Sequence, residues 1–151
     1  MNSQINNRIT LWHSKRYEQV FNQDEYSDQL YNAAFEDLSN SSVVGTKSEA
    51  LGNLFFICIG GLWKIGVDPS EYENVGNKVF LNSNSGPFKS SYSKEAISWL
   101  VLQIMQSDDN VDIKNFTLIL LVAILENLAK SCTRDQAEKI LAAICKSKEA
   151  T

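Results

Sequence analysis

The ten residues from Phe116 to Leu125 carry no charge, and Thr117 is their only polar side chain. Within this run, Leu118 to Leu125 is apolar on every face of a helix. Such a helix must be enclosed by protein, so it belongs at the centre of the fold. It is too short for a membrane span, which needs about 20 apolar residues. The second apolar run, Leu54 to Leu62, is shorter still and reads as another core helix. The chain therefore has to supply amphipathic elements to wrap these two. At 151 residues it is long enough to do so within one domain.

The remaining segments show that amphipathic pattern. Ile9, Trp12, His13, Val20 and Phe21 approximate a helical stripe and predict a helix over about Arg8–Phe21. Ser27 is placed to cap a second helix to about Leu38, with Tyr31, Ala34, Phe35 and Leu38 facing inward. Thr46 and Glu49 match a capping box at the start of the Leu54–Leu62 helix. Gly60-Gly61 inside that helix implies a bend or a close helix contact, and Gly66 a C-terminal cap. Asp68-Pro69-Ser70-Glu71 starts a short helix ending near Gly76. Lys78–Leu81 reads as extended, a single edge strand at most, and Asn82–Tyr92 as an exposed loop.

Ser93 caps a helix carrying Ile97, Leu100, Val101 and Ile104, and the central helix runs from about Asn110 or Asp112 to Lys130. Thr133 and Gln136 form a second capping box. Behind it Ala137, Ile140, Leu141, Ile144 and Cys145 follow at i, i+3, i+4, i+7, i+8. The short link Ser131–Thr133 predicts an antiparallel pairing of the last two helices, and Asp135 with Lys139 an i, i+4 ion pair. The expected fold is all-α: a single-domain bundle of about six or seven helices spanning residues 1–151.

The inventory for chemistry is thin. His13 is the only histidine, and it falls beside an apolar stripe. Cys58, Cys132 and Cys145 are widely spaced and form no C-x-x-C pair, so neither zinc nor a disulfide framework is expected. Asp108-Asp109-Asn110-Val111-Asp112 lacks the glycine and terminal glutamate of a calcium loop and reads as a helix cap. The glycines have no phosphate-loop setting. Glu126 sits one turn past the apolar run; if buried it needs a partner, and Lys130 is the local choice. No catalytic residue, metal or cofactor is expected. Met1–Thr10 is polar and lacks a signal-peptide h-region, and with free thiols this points to the cytoplasm.

Between Tyr17 and Thr46 lie six carboxylates and not one lysine or arginine. They are Glu18, Asp24, Glu25, Asp28, Glu36 and Asp37, and they account for the net charge of −4. Such a surface attracts a basic protein and repels nucleic acid and lipid headgroups. Asp28, Asn32 and Glu36 stand one turn apart, while Asp24, Glu25, Tyr26 and Asp37 flank them. These seven are the candidate partner-binding residues. Tyr31 is a candidate anchor in tension with its place on the buried stripe.

A small, acidic, helical chain without catalytic residues resembles the small immunity proteins and antitoxins with which bacteria neutralise their own nuclease toxins. The resemblance is one of profile over the whole chain. It implies that the acidic face docks on a basic toxin domain and occludes its nucleic-acid cleft, with Asn82–Tyr92 as a second contact. Two alternatives stay open. One is a helical adaptor or chaperone holding a partner helix in an apolar groove beside Trp63, Phe80 or Trp99. The other is a small enzyme with a carboxylate-lined pocket.

Overall fold

A computed structural model describes residues 3–41, 44–84 and 93–151. The elements are α1 (Ser3–Arg16), α2 (Gln23–Tyr31), a π-helical segment (Asn32–Leu38), α3 (Val44–Ile65), a 3-10 turn (Pro69–Glu71), α4 (Val75–Asn84), α5 (Lys94–Gln106), α6 (Asn110–Ala129) and α7 (Arg134–Glu149). The fold is an all-α bundle of seven α-helices, with no strand among the described residues.

The apolar helix is central, as its sequence demands. α6 packs most extensively on α5, α3 and α4. Its Ile113, Leu120, Leu121, Ala123, Ile124, Leu125 and Leu128 are buried. Leu118, Ile119 and Val122 form a half-buried stripe on the remaining side. Burying one leucine or isoleucine side chain is worth roughly 1.5–3 kcal/mol, so this helix supplies a large part of the driving force. α3 is the second pillar. It receives α1, α6, α7 and the π-helical segment along its length.

Local chemistry sets the ends of these helices. Asp109 Oδ1 accepts the backbone N–H of Val111 at the start of α6, and Ser93 Oγ accepts that of Ala96 at the start of α5. At α7, Thr133 and Gln136 form a reciprocal capping box. Gly66 ends α3 with φ +92°. The N–H groups of Val67 and Gly66 return to the carbonyls of Leu62 and Trp63, at 3.0 Å each. That is the Schellman arrangement, which needs a left-handed residue and so a glycine.

Several boundaries differ from the sequence expectation. α1 ends at Arg16 rather than Phe21, and Val20 is exposed. Asn22, not Ser27, caps α2 by accepting from the N–H of Glu25. α3 starts at Val44, so Thr46 and Glu49 lie inside the helix instead of capping it. Lys78–Leu81 is helical, part of α4, because Val79 and Phe80 are drawn into the core beside α6. Of the Asn82–Tyr92 segment, Asn82 to Asn84 belong to α4 and residues 85–92 lie outside the described residues.

α6 and α7 meet at 117° instead of forming an antiparallel hairpin. α7 turns away because its apolar face is matched by α3, where Ile140, Leu141 and Ile144 crowd Gly52. The i, i+4 ion pair that forms on α7 joins Arg134 and Glu138. Glu126 is buried, and Lys130 donates to Asn127 Oδ1 at 3.3 Å. Among the described residues no single helix is long and apolar enough to cross a membrane.

The π-helical segment follows from its own residues. One π-helical turn takes more residues than an α-turn, with hydrogen bonds at i→i+5. Ala33 and Leu38 are five apart and are buried together with Ala34. Small alanines let the wider backbone approach α3. Ser39 Oγ donates to the carbonyl of Ala34, again five residues back, at 3.1 Å.

Candidate functional site

α2 and the π-helical segment carry the acidic stretch. Asp24, Glu25, Asp28, Asn32, Glu36 and Asp37 are exposed. Tyr26 is not, which corrects its assignment to the surface. It is 4% exposed. Its ring packs against Gly61 of α3, where an added β-carbon would collide with it. Its hydroxyl pairs with Thr117 Oγ1 of α6 at 3.0 Å. Burial raises the Tyr26 pKa well above 10, and burial pushes the neighbouring Cys58 thiol up to about 12. Tyr26 is thus a structural bolt through α2, α3 and α6. Tyr31 stays exposed and stacks on Phe35 with centroids 4.9 Å apart.

Two of the acids have a local explanation. With Asn22 as the cap, Asp24 and Glu25 occupy the first turn of α2, where carboxylates favour the helix dipole. Asp28 sits in the middle of that helix. It therefore loses the helix-start role that a cap at Ser27 would have given it. The start of α2 is also tied to α5, since the Gln23 side chain donates to the backbone carbonyl of Ser107.

Glu36 and Asp37 open onto a cleft between the π-helical segment and the start of α3. Its volume is about 790 Å³, and its lining includes Glu36, Asp37, Asn40, Glu49 and Asn53. All three charged residues in that lining are acids. Glu49 was hidden from sequence reasoning because a capping box accounted for it. The longer α3 releases it to join Glu36 and Asp37. No group of three or more metal-binding side chains occurs among the described residues.

A second cavity, of about 300 Å³, adjoins this cleft and shares Asp37 and Asn53 with it. His13 lines it and is 7% exposed. Its ring lies over Gly60 of α3, at a point where any β-carbon would overlap it. Burial, with Lys64 second, lowers the His13 pKa to about 4, so the imidazole is neutral at pH 7. The Phe56 backbone opposes this shift, though it makes no hydrogen bond to either ring nitrogen. Among the described residues neither ring nitrogen has a hydrogen-bond partner, and the buried Trp12 Nε1 has none either. Trp12 meets His13 edge-on at 4.8 Å and Phe56 at 5.1 Å.

Of the groove-forming candidates, Phe80 is buried and Trp63 half-buried. Trp99 is 55% exposed. Comparison of the chain with known protein families, curated proteins and solved structures gives no match.

Proposed function

We propose that this chain is a non-catalytic binding protein that docks a basic protein partner through the face formed by α2, the π-helical segment and the start of α3. The observation that carries this reading is the convergence of Glu36, Asp37 and Glu49 on one open cleft. Asp28 of α2 and Asn32 at the start of the π-helical segment are also exposed and add to this face. Carboxylates so placed steer an incoming basic surface and fix its orientation. Tyr31, exposed and stacked on Phe35, supplies aromatic contact area beside them. A basic nuclease-type toxin domain neutralised by direct contact, as by an immunity protein or antitoxin, is the partner that the profile favours. Its cationic nucleic-acid cleft is complementary to this face. The setting is the bacterial cytoplasm, where free thiols such as Cys132 persist.

Capture of partners from the native source tests this. The wild-type chain should retain a basic protein, and a variant combining Glu36→Lys, Asp37→Lys and Glu49→Lys should not. Retention of the same protein by both, or capture of acidic proteins alone, would contradict the reading.

A second reading, an adaptor for a partner helix, is favoured by one observation. Trp99 and Leu102 stand three residues apart on α5 and are both exposed, with Phe116 of α6 meeting Trp99 edge-on at 6.2 Å. Trp99→Ser would abolish capture under this reading and leave it intact under the first.

A further inference from the structure

The cavity beside His13 has a lining unlike that of the acidic cleft it adjoins. Two of its three charged residues are cations, Lys64 and Lys148, and the third is Asp37. Among the described residues neither ammonium has a carboxylate within ion-pair distance. Each lies instead over an aromatic ring: Lys64 over Tyr17 at 4.3 Å and Lys148 over Phe56 at 5.6 Å. Arg16 lies over Trp12 at 4.4 Å. The aromatic walls therefore already hold cations of the chain itself. A cationic ligand would meet two positive charges and one negative in the lining.

The polar groups point to the same sign. Trp12 Nε1 is a donor only, and ammonium groups donate only. A neutral imidazole offers one N–H. Gln29, Asn32 and Asn53 in the same lining carry amides that donate or accept as a ligand requires. Leaving buried donors unpaired costs about 1–3 kcal/mol each, so a group able to accept from them is strongly favoured. The volume is at the small end of ligand sites, enough for one ring system with its substituents.

We propose that this cavity binds a small aryl anion, a carboxylate or phosphate on a flat ring. The anionic group lies between Lys64 and Lys148, and the ring lies against Trp12, Tyr17 and Phe56. The Trp12 indole N–H and the His13 imidazole complete its hydrogen bonds. Asp37 and Asn32 border both this cavity and the acidic face, but the proposal does not depend on the docking function, since the anion is held by Lys64 and Lys148.

The test uses benzoate, indole-3-carboxylate and phenyl phosphate, with benzamide as the neutral counterpart of benzoate. Binding is read from the Trp12 indole N–H resonance, assigned through Trp12→Phe, and from the melting temperature. At least one of the anions should move that resonance and raise Tm by about 2 °C or more at saturation. Benzamide should bind at least about tenfold more weakly than benzoate, and Lys64→Gln combined with Lys148→Gln should weaken the anions by a similar factor. Three results would each overturn the proposal. They are silence of the Trp12 resonance to all three anions at about 10 mM, equal binding of benzamide and benzoate, and undiminished binding by the double variant. Both lysines are half-buried and join no ion pair among the described residues, so the double variant is expected to fold, which circular dichroism checks.

Discussion

The His13 imidazole of α1 occupies the space above Gly60 of α3 that a side chain would otherwise fill. One residue on, Tyr26 of α2 does the same at Gly61. Two glycines in the middle of a helix cost about 1 kcal/mol each relative to alanine. Here the cost is offset because both helices dock ring-first against bare backbone. Gly60→Ala should therefore lower stability by about 1–3 kcal/mol despite alanine's better helix propensity. Chemical denaturation of Gly60→Ala, His13→Ala and the double variant checks it. The two effects should be far from additive, with the double variant recovering part of the loss.

Stability should fall with acid through a defined window. The His13 pKa lies at about 4 in the fold against an ordinary value of 6.5, so the unfolded chain binds the proton more readily. The contribution is complete above about pH 6.5, is lost as pH drops towards 4, and is flat below that. With partial solvent screening the loss amounts to about 2–3 kcal/mol. Unfolding free energies measured from pH 4 to 7 should show this slope in the wild type and lack it in His13→Gln. The exposed Glu149, whose pKa is lowered first by its hydrogen bond from Arg8, loses that partner only at lower pH.

Truncation along α6 should report its enclosure. Leu120→Ala and Ile124→Ala remove fully buried side chains and should each cost about 2–5 kcal/mol. Val122→Ala lies on the half-buried stripe and should cost clearly less. Denaturant midpoints at constant m-value give the comparison.

Thiol reactivity should separate the three cysteines. Cys58 is fully buried, with burial pushing its pKa to about 12, so it should resist alkylation in the native state. Cys145 is buried with a raised pKa and should also be slow. Cys132 is partly exposed near Ser48 and should be modified first. Mass mapping after brief iodoacetamide treatment checks the order.

Periodicity revealed the helices because burial of an apolar stripe is a local, repeated pattern. The capping box at Thr133 and the cap at Ser93 were legible because each uses residues within three positions of one another, and the stop at Gly66 because its left-handed backbone calls for a glycine. The signals failed where tertiary contacts decided the outcome. Lys78–Leu81 looked extended, yet Phe80 is held in the core by helix packing. Tyr26 looked exposed between acids, yet Gly61, far along the chain on α3, leaves room for its ring. Glu49 joined the cleft through packing of the π-helical segment on α3, and His13 met Lys64 and Lys148 through contacts between α1, α3 and α7, none of which a local pattern encodes.

The most direct test of the central claim is the salt dependence of partner binding. Affinity for the captured basic protein should be measured from low ionic strength to about 0.5 M, where the Debye length falls from tens of ångströms to a few. The account predicts a steep loss of affinity with salt for the wild type, carried mainly by the association rate. It predicts weak, nearly salt-independent binding for the chain with Asp28→Lys and Glu36→Lys. Equal affinity of the two chains, unaffected by salt, would contradict it.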